Sequence, residues 1–164
     1  MPPLKWTIKR NKEVVYHGTL KAMTLFTGQA VLIEKNGTLY GEGECIDGIK
    51  VGPWRHYHGN GQVMLQVNFD EQGREHGEKC GYYPDGTLHY HMHFDHGRTV
   101  AQAQYYYEDG ALMSETHYNE AGLTLWVKEY YPDGILRRWQ QMNAGKLHQE
   151  RFYHPDGRLW AEKG

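Results

Sequence analysis

Apolar residues return at every second position in two stretches of the chain: Val63, Leu65, Val67 and Phe69, then Leu88, Tyr90, Met92 and Phe94, with mainly polar residues between them. A period of two predicts extended strands with one buried and one solvated face, because successive side chains of a strand point to opposite sides. Each stretch opens two residues after a glycine that follows Asn60 or Asp85. Strand and turn signals therefore arrive together.

That punctuation runs through most of the chain. The segments KNGTL, GNGQV, PDGTL, EDGAL, PDGIL and PDGRL place glycine at Gly37, Gly61, Gly86, Gly110, Gly134 and Gly157, 23 to 25 residues apart. Asn-Gly and Asp-Gly pairs favour positive φ, and each predicts a two-residue hairpin turn. A second series, Gly48, Gly73, Gly97, Gly122 and Gly145, falls 11 or 12 residues downstream of the first. Between the turns remain legs of about six to eight residues, an ordinary strand length and too short for a two-helix repeat. The expected fold is all-β: an elongated, twisted antiparallel β-meander of hairpin repeats. It forms one repeat domain over residues 1–164. Residues 1–25 would supply N-terminal capping strands, near 6–8 and 14–16, and residues 26–164 about six repeats of about 24 residues.

Composition narrows the function classes. With 18 Lys and Arg against 20 Asp and Glu, a net charge of −2 and no basic block, the chain has no footprint for nucleic acid. A mean hydropathy of −0.80 and no apolar run near eighteen residues argue against membrane insertion by a helix. Five Trp, 13 Tyr and 4 Phe supply apolar area that disordered chains lack. The two cysteines, Cys45 and Cys80, stand in no CxxC spacing and cannot form a disulfide framework. Together with an N-terminus that lacks an export signal, they point to a cytoplasmic protein.

The segment Gly52-Pro53-Trp54-Arg55-His56-Tyr57-His58-Gly59-Asn60-Gly61-Gln62-Val63 resembles the MORN repeat, in the variant found in YwqK-type bacterial antitoxins, and FTGQAVLIEKNGTL and HGEKCGYYPDGTL fit the same pattern. The resemblance covers about residues 26–164 and rests on six periodic copies. The glycine nine residues before the hairpin glycine, kept as Gly28, Gly52 and Gly77, becomes Ala101, Leu125 and His148. The second half therefore departs from the pattern. Choline- or glucan-binding cell-wall repeats share the Asp-Gly turns but have a shorter period, Rhs-type repeats lack the second glycine series, and the LxxLxL of leucine-rich repeats is absent. The resemblance implies binding rather than chemistry: an antitoxin or immunity protein that occludes a bacterial protein toxin, without a cofactor. A carbohydrate-binding module and a general MORN-type scaffold are the alternatives. Lipid binding would want Lys/Arg clustering that is missing here.

Candidate chemistry is sparse. The alternation places His89, His91 and His93 on one strand face, where two or three imidazoles could recruit a divalent metal. The equivalent positions elsewhere hold Met64, Gln66 and Asn68, or Met113, Glu115 and His117, or Arg137, Trp139 and Gln141, which reads as a variable outer face rather than a metal site. Cys45 falls in the slot of Phe69, Phe94, Tyr118 and Met142, and is expected as a buried small hydrophobe; Cys80 shares its slot with Val31, Arg55, Gln104, Lys128 and Arg151. No GxSxG, HExxH or phosphate-binding loop occurs, so no catalytic residue is assigned and the protein is not expected to be an enzyme. The tyrosines four residues before each turn, joined by Tyr83, Tyr107 and Tyr131, are expected to form a packing ladder along the stack. The expected partner-binding residues are His89, His91, His93, Met113, Glu115, His117, Arg137 and Trp139, with an exposed Trp139 as anchor.

Overall fold

The computed structural model describes residues 6–10, 13–18, 26–34 and 36–164. Among these described residues fourteen strands follow one another: β1 (Trp6–Arg10), β2 (Glu13–Gly18), β3 (Gly28–Ile33), β4 (Leu39–Ile46), β5 (Ile49–Tyr57), β6 (Val63–Phe69), β7 (Glu75–Tyr82) and β8 (Leu88–Asp95), then β9 (Arg98–Tyr106), β10 (Leu112–Tyr118), β11 (Thr124–Tyr130), β12 (Leu136–Asn143), β13 (Lys146–Tyr153) and β14 (Leu159–Lys163). Among the described residues there is no helix. Strands β3 to β14 pair in sequence order as one open antiparallel sheet, the meander that the turn spacing predicts. At the usual strand separation, twelve strands span about 50 Å. The meander does not reach the N-terminus: β1 and β2 form a separate two-stranded sheet, with β1 lying against β3.

The turns differ from the expectation in kind. At the Asn-Gly and Asp-Gly sites only the glycine has positive φ, and the Asx residue does something else. In Tyr83–Thr87, Gly86 N–H donates to Tyr83 O (2.9 Å), Tyr83 N–H donates to Thr87 O (2.9 Å), and Asp85 Oδ1 accepts from Thr87 N–H (2.9 Å). This is a three-residue loop, a type I turn closed by a left-handed glycine, with the Asx side chain as a local acceptor. Asn36, Asn60, Asp109, Asp133 and Asp156 accept in the same way. Two-residue turns with both φ values positive do occur, but in the second series: Asp47-Gly48, His96-Gly97 and Ala144-Gly145. They are closed by the pairs Ile46 with Ile49, Asp95 with Arg98, and Asn143 with Lys146.

The lost glycines also have a structural consequence. Where β6 runs from Val67 to Phe69, β7 runs from Lys79 to Glu75, two extra residues accommodated around Gly77 (φ 86°). The same excess occurs across β8 and β9, where Ala101 adopts the glycine conformation at φ 59°. At Leu125 and His148, neither of which has positive φ, the bulge shrinks to one extra residue. A side chain that resists the left-handed region changes the local register.

One face carries the core. Ala30, Leu32, Cys45, Trp54 and Val67 are buried together, with Phe26, Tyr40, Leu65 and Phe69 packed against them. Cys45 is fully buried, as its repeat slot predicts. Trp54 lies so close over β4 that a Cβ on Gly43 would stand 2.3 Å from its ring. Glycine there is what lets the indole lie flat on the sheet. The uniform apolar face does not persist. Beyond Ala103 no hydrophobic residue is fully buried among the described residues, and the same face continues as Ser114, Thr116, Glu129, Arg138, Gln140 and Glu150.

Candidate protein-binding face

Register determines which side chains share the opposite face. A single cross-strand row runs through Val31, Glu42, Arg55, Gln66, Cys80, His91, Gln104, Glu115, Lys128, Trp139, Arg151 and Glu162, one residue from each strand of the large sheet. Three expected contact residues, His91, Glu115 and Trp139, stand in this row on alternate strands, about 10 Å apart. His89, Met113 and Arg137 are the extra residues of bulges at the starts of β8, β10 and β12. Met113 and Arg137 line one open groove with Tyr107, Ser114, Glu129 and Tyr130. His93 and His117 complete the set near the far ends of β8 and β10. The eight residues lie on three alternate strands, β8, β10 and β12, a geometry suited to a broad contact rather than to a reaction at one point.

Their surroundings differ from a bare solvent face. His89 packs on Tyr83 with ring centroids 4.3 Å apart and the rings tilted by 31°, and His91 Nε2 lies 3.7 Å from Glu78 Oε1. His117 stacks on Trp126 at 3.9 Å, and Lys128 Nζ sits 4.6 Å over that indole. Lys128 also pairs with Glu115 (3.5 Å), which accepts from the Tyr130 hydroxyl (2.6 Å). Burial, then the bonded Glu115 carboxylate, push the Tyr130 hydroxyl well above the usual phenol range, so it stays a donor. Trp139 is not the exposed anchor expected: it is half-buried, with the Arg151 guanidinium 5.2 Å over its ring and Arg151 in turn bonded to Glu162 (2.9 Å). The most exposed tryptophan among the described residues is Trp160, at 68%. Met64 and Met113 are likewise half-buried rather than exposed.

The partners Trp126, Lys128, Tyr130 and Arg151 were missed from sequence because they lie on β11 and β13, the leading strands of their hairpins, whereas the expected contact residues all follow the Asx-Gly turns. Their repeat slot was the available signal, since Lys128 and Arg151 share it with Cys80. Both thiols are held above the ordinary cysteine range, chiefly by burial, so neither is poised as a thiolate nucleophile. The row His89, His91 and His93 does not converge on a common point: His89 turns to Tyr83 and His91 to Glu78.

The tyrosines outside the row have a further role. Tyr83 donates to Tyr106 O (2.8 Å), Tyr107 to Tyr130 O (2.8 Å) and Tyr131 to Tyr153 O (3.0 Å), and His58 Nε2 stands 2.8 Å from Tyr82 O. Each hydroxyl ties a turn to the strand end of the next repeat. The ladder expected from packing is thus also a series of inter-repeat hydrogen bonds, satisfying carbonyls at strand ends.

Three consecutive segments, residues 50–71, 75–96 and 100–120, match the MORN repeat variant. Each match spans one three-residue-turn hairpin: β5 with β6, β7 with β8, and β9 with β10. The chain therefore carries MORN-type repeats in the middle of the sheet, and the same turn chemistry continues on both sides of them. No curated protein matches the chain.

Proposed function

We propose that the protein acts by binding another protein through the face that carries His91, Glu115 and Trp139. The observation behind this reading is the contrast between a constant frame of Asx-Gly turns and tyrosine ties and a cross-strand row whose residues change at every strand. Repeat proteins make specific surfaces in this way, with generic positions holding the stack and variable ones meeting the partner. The aromatic and charged makeup of β10 to β13, with Trp, Tyr, Arg and His prominent, suits a protein contact. The tyrosines a sugar-binding reading would use as platforms instead direct their hydroxyls to the neighbouring main chain, which favours a protein partner.

Within that reading the protein is a cytoplasmic antitoxin or immunity protein. It neutralises a cognate bacterial toxin by occlusion, without cofactor or catalysis of its own, as the sequence resemblance to YwqK-type proteins suggests. The test is co-expression with a toxin encoded beside it, comparing the parent with Trp139→Ala and His91→Ala/His93→Ala. Both variants should keep the β-sheet circular dichroism spectrum yet protect less, Trp139→Ala weakening the complex by about 2 kcal/mol if it is a hot spot. Full protection by both would move the interface elsewhere.

A further inference from the structure

The histidine row is not where ligand atoms meet. They meet at the corner where the β8–β9 turn comes back against the start of β7. His96 Nδ1 lies 2.9 Å from Asp95 Oδ1 and 3.1 Å from His76 Nδ1, and His76 Nδ1 lies 3.5 Å from Asp95 Oδ1. The two imidazoles are nearly perpendicular, with centroids 4.6 Å apart. The corner is fixed by the main chain: Gly97 N–H donates to Glu75 O (2.7 Å), and the His96-Gly97 turn has both φ values positive.

Three lone-pair atoms so close together are short of protons. If His96 Nδ1 carries its proton toward Asp95, His76 Nδ1 is left with only the long contact from His96 N–H at 3.4 Å. A cation among them resolves the shortage. Ligand atoms about 2.1 Å from a metal stand about 3.0 Å apart across a right angle and about 3.4 Å apart across a tetrahedral one, and the three edges of this triangle lie within about 0.1 Å of that range. Three protein ligands leave further positions for water, and all three side chains are 43% to 48% exposed, so an ion can enter.

The repeat frame supplies an independent comparison. Two repeats earlier, the equivalent corner is formed by the Asp47-Gly48 turn against residues 26 and 27, with Gly48 N–H donating to Phe26 O (2.8 Å). There Thr27 and Asp47 fill the places of His76 and His96, joined by Asp47 N–H to Thr27 Oγ1 (3.0 Å) and Thr27 Oγ1 to Asp47 Oδ1 (3.3 Å). That corner closes on itself with ordinary hydrogen bonds. The frame therefore does not require imidazoles at the corner.

We propose that His76, Asp95 and His96 form a site for one borderline divalent ion of the Zn²⁺ or Ni²⁺ type, which ties the β8–β9 turn to β7. Two imidazole nitrogens and one carboxylate oxygen select such ions over Mg²⁺ and Ca²⁺, which prefer oxygen-only shells. The test is calorimetric titration of the untagged chain with Zn²⁺ and Ni²⁺, alongside thermal melts. Expected are one ion per chain, micromolar affinity, no competition from Mg²⁺, and a melting midpoint that rises with ion concentration. His76→Gln should weaken binding roughly tenfold or more, as should His96→Asn, which tolerates the left-handed turn and guards against a folding defect. His91→Ala/His93→Ala should bind like the parent. Absence of saturable binding, or binding that survives both ligand substitutions and is lost in the His91/His93 variant, would overturn the proposal.

Discussion

The same face of the same sheet is built in two ways. From β3 to β6 it is an apolar core, with Trp54, Leu32 and Cys45 out of solvent. From β11 to β13 it holds Glu150, only 5% exposed, accepting from Arg138 Nε (2.9 Å) and Gln140 Nε2 (2.8 Å), while Arg138 also reaches Glu129 (3.2 Å). Arg138, by hydrogen bond and charge, holds the Glu150 carboxyl below its ordinary range. The three-residue turns are alike at both ends, while the tyrosine ties begin at Tyr83 and His58 stands in that place in the apolar half, so the turn frame does not require a hydrophobic face. Apolar burial supplies net stability at one end. At the other, a part-buried ion network around Glu150 returns little beyond its own desolvation cost, and strand pairing with the inter-repeat hydroxyls carries the fold.

The largest effects should follow this division. Trp54→Ala removes the largest fully buried side chain of the core and should cost about 4 kcal/mol in denaturant unfolding. Removing Arg138 alone, as Arg138→Leu, leaves Glu150 buried without its cation and should cost about 3 kcal/mol. Arg138→Leu/Glu150→Leu should recover most of that loss, because an apolar pair avoids both desolvation terms. A double variant as unstable as the single one would mean that the network is a net contributor, and the contrast between the two ends would weaken.

A titratable group sharpens the comparison from the apolar end. His56 is 7% exposed, its Nε2 is 3.4 Å from Lys50 Nζ, and its buried Nδ1 has no partner. Burial first, and the Lys50 charge second, lower its pKa to about 4. Because the folded value lies below the unfolded one, His56 is neutral in both states above about pH 6.5. Stability is then lost as the unfolded chain takes up a proton between about pH 6.5 and 4, by at most about 3 kcal/mol. The Glu150 network acts in a lower window: its folded value is depressed, so its contribution is present above about pH 4.5 and is lost as pH falls through the folded value. His56→Leu should flatten the stability profile between pH 6.5 and 4 and leave the loss below it. The smallest effect expected is Ala101→Gly, which relieves a left-handed alanine and should stabilise by about 1 kcal/mol in thermal unfolding.

The repeat, the strand order and the burial of Cys45 were legible because Asx-Gly pairs and alternation are local signals. Loop type was not, since an Asp-Gly pair serves both a two-residue turn and a type I turn closed by glycine, and the register of the flanking strands decides between them. The half-burial of Trp139 depends on Arg151, which reaches it only through the pairing of β12 with β13. His76 and His96 are twenty residues apart and meet because two hairpin corners stack, which no periodicity announces. The fading core was visible in Thr116, Glu129, Arg138 and Gln140, but averaging over repeats weights the copies that alternate most cleanly.

Native-state hydrogen exchange resolved by strand tests the two-ended account most directly. Amides of β4 to β6 should exchange only through global unfolding, while those of β12 to β14 should open at a lower free energy, and Trp54→Ala should bring the two ends together. Uniform protection from β4 to β13 in the parent chain, with Trp54→Ala lowering every strand equally, would contradict it.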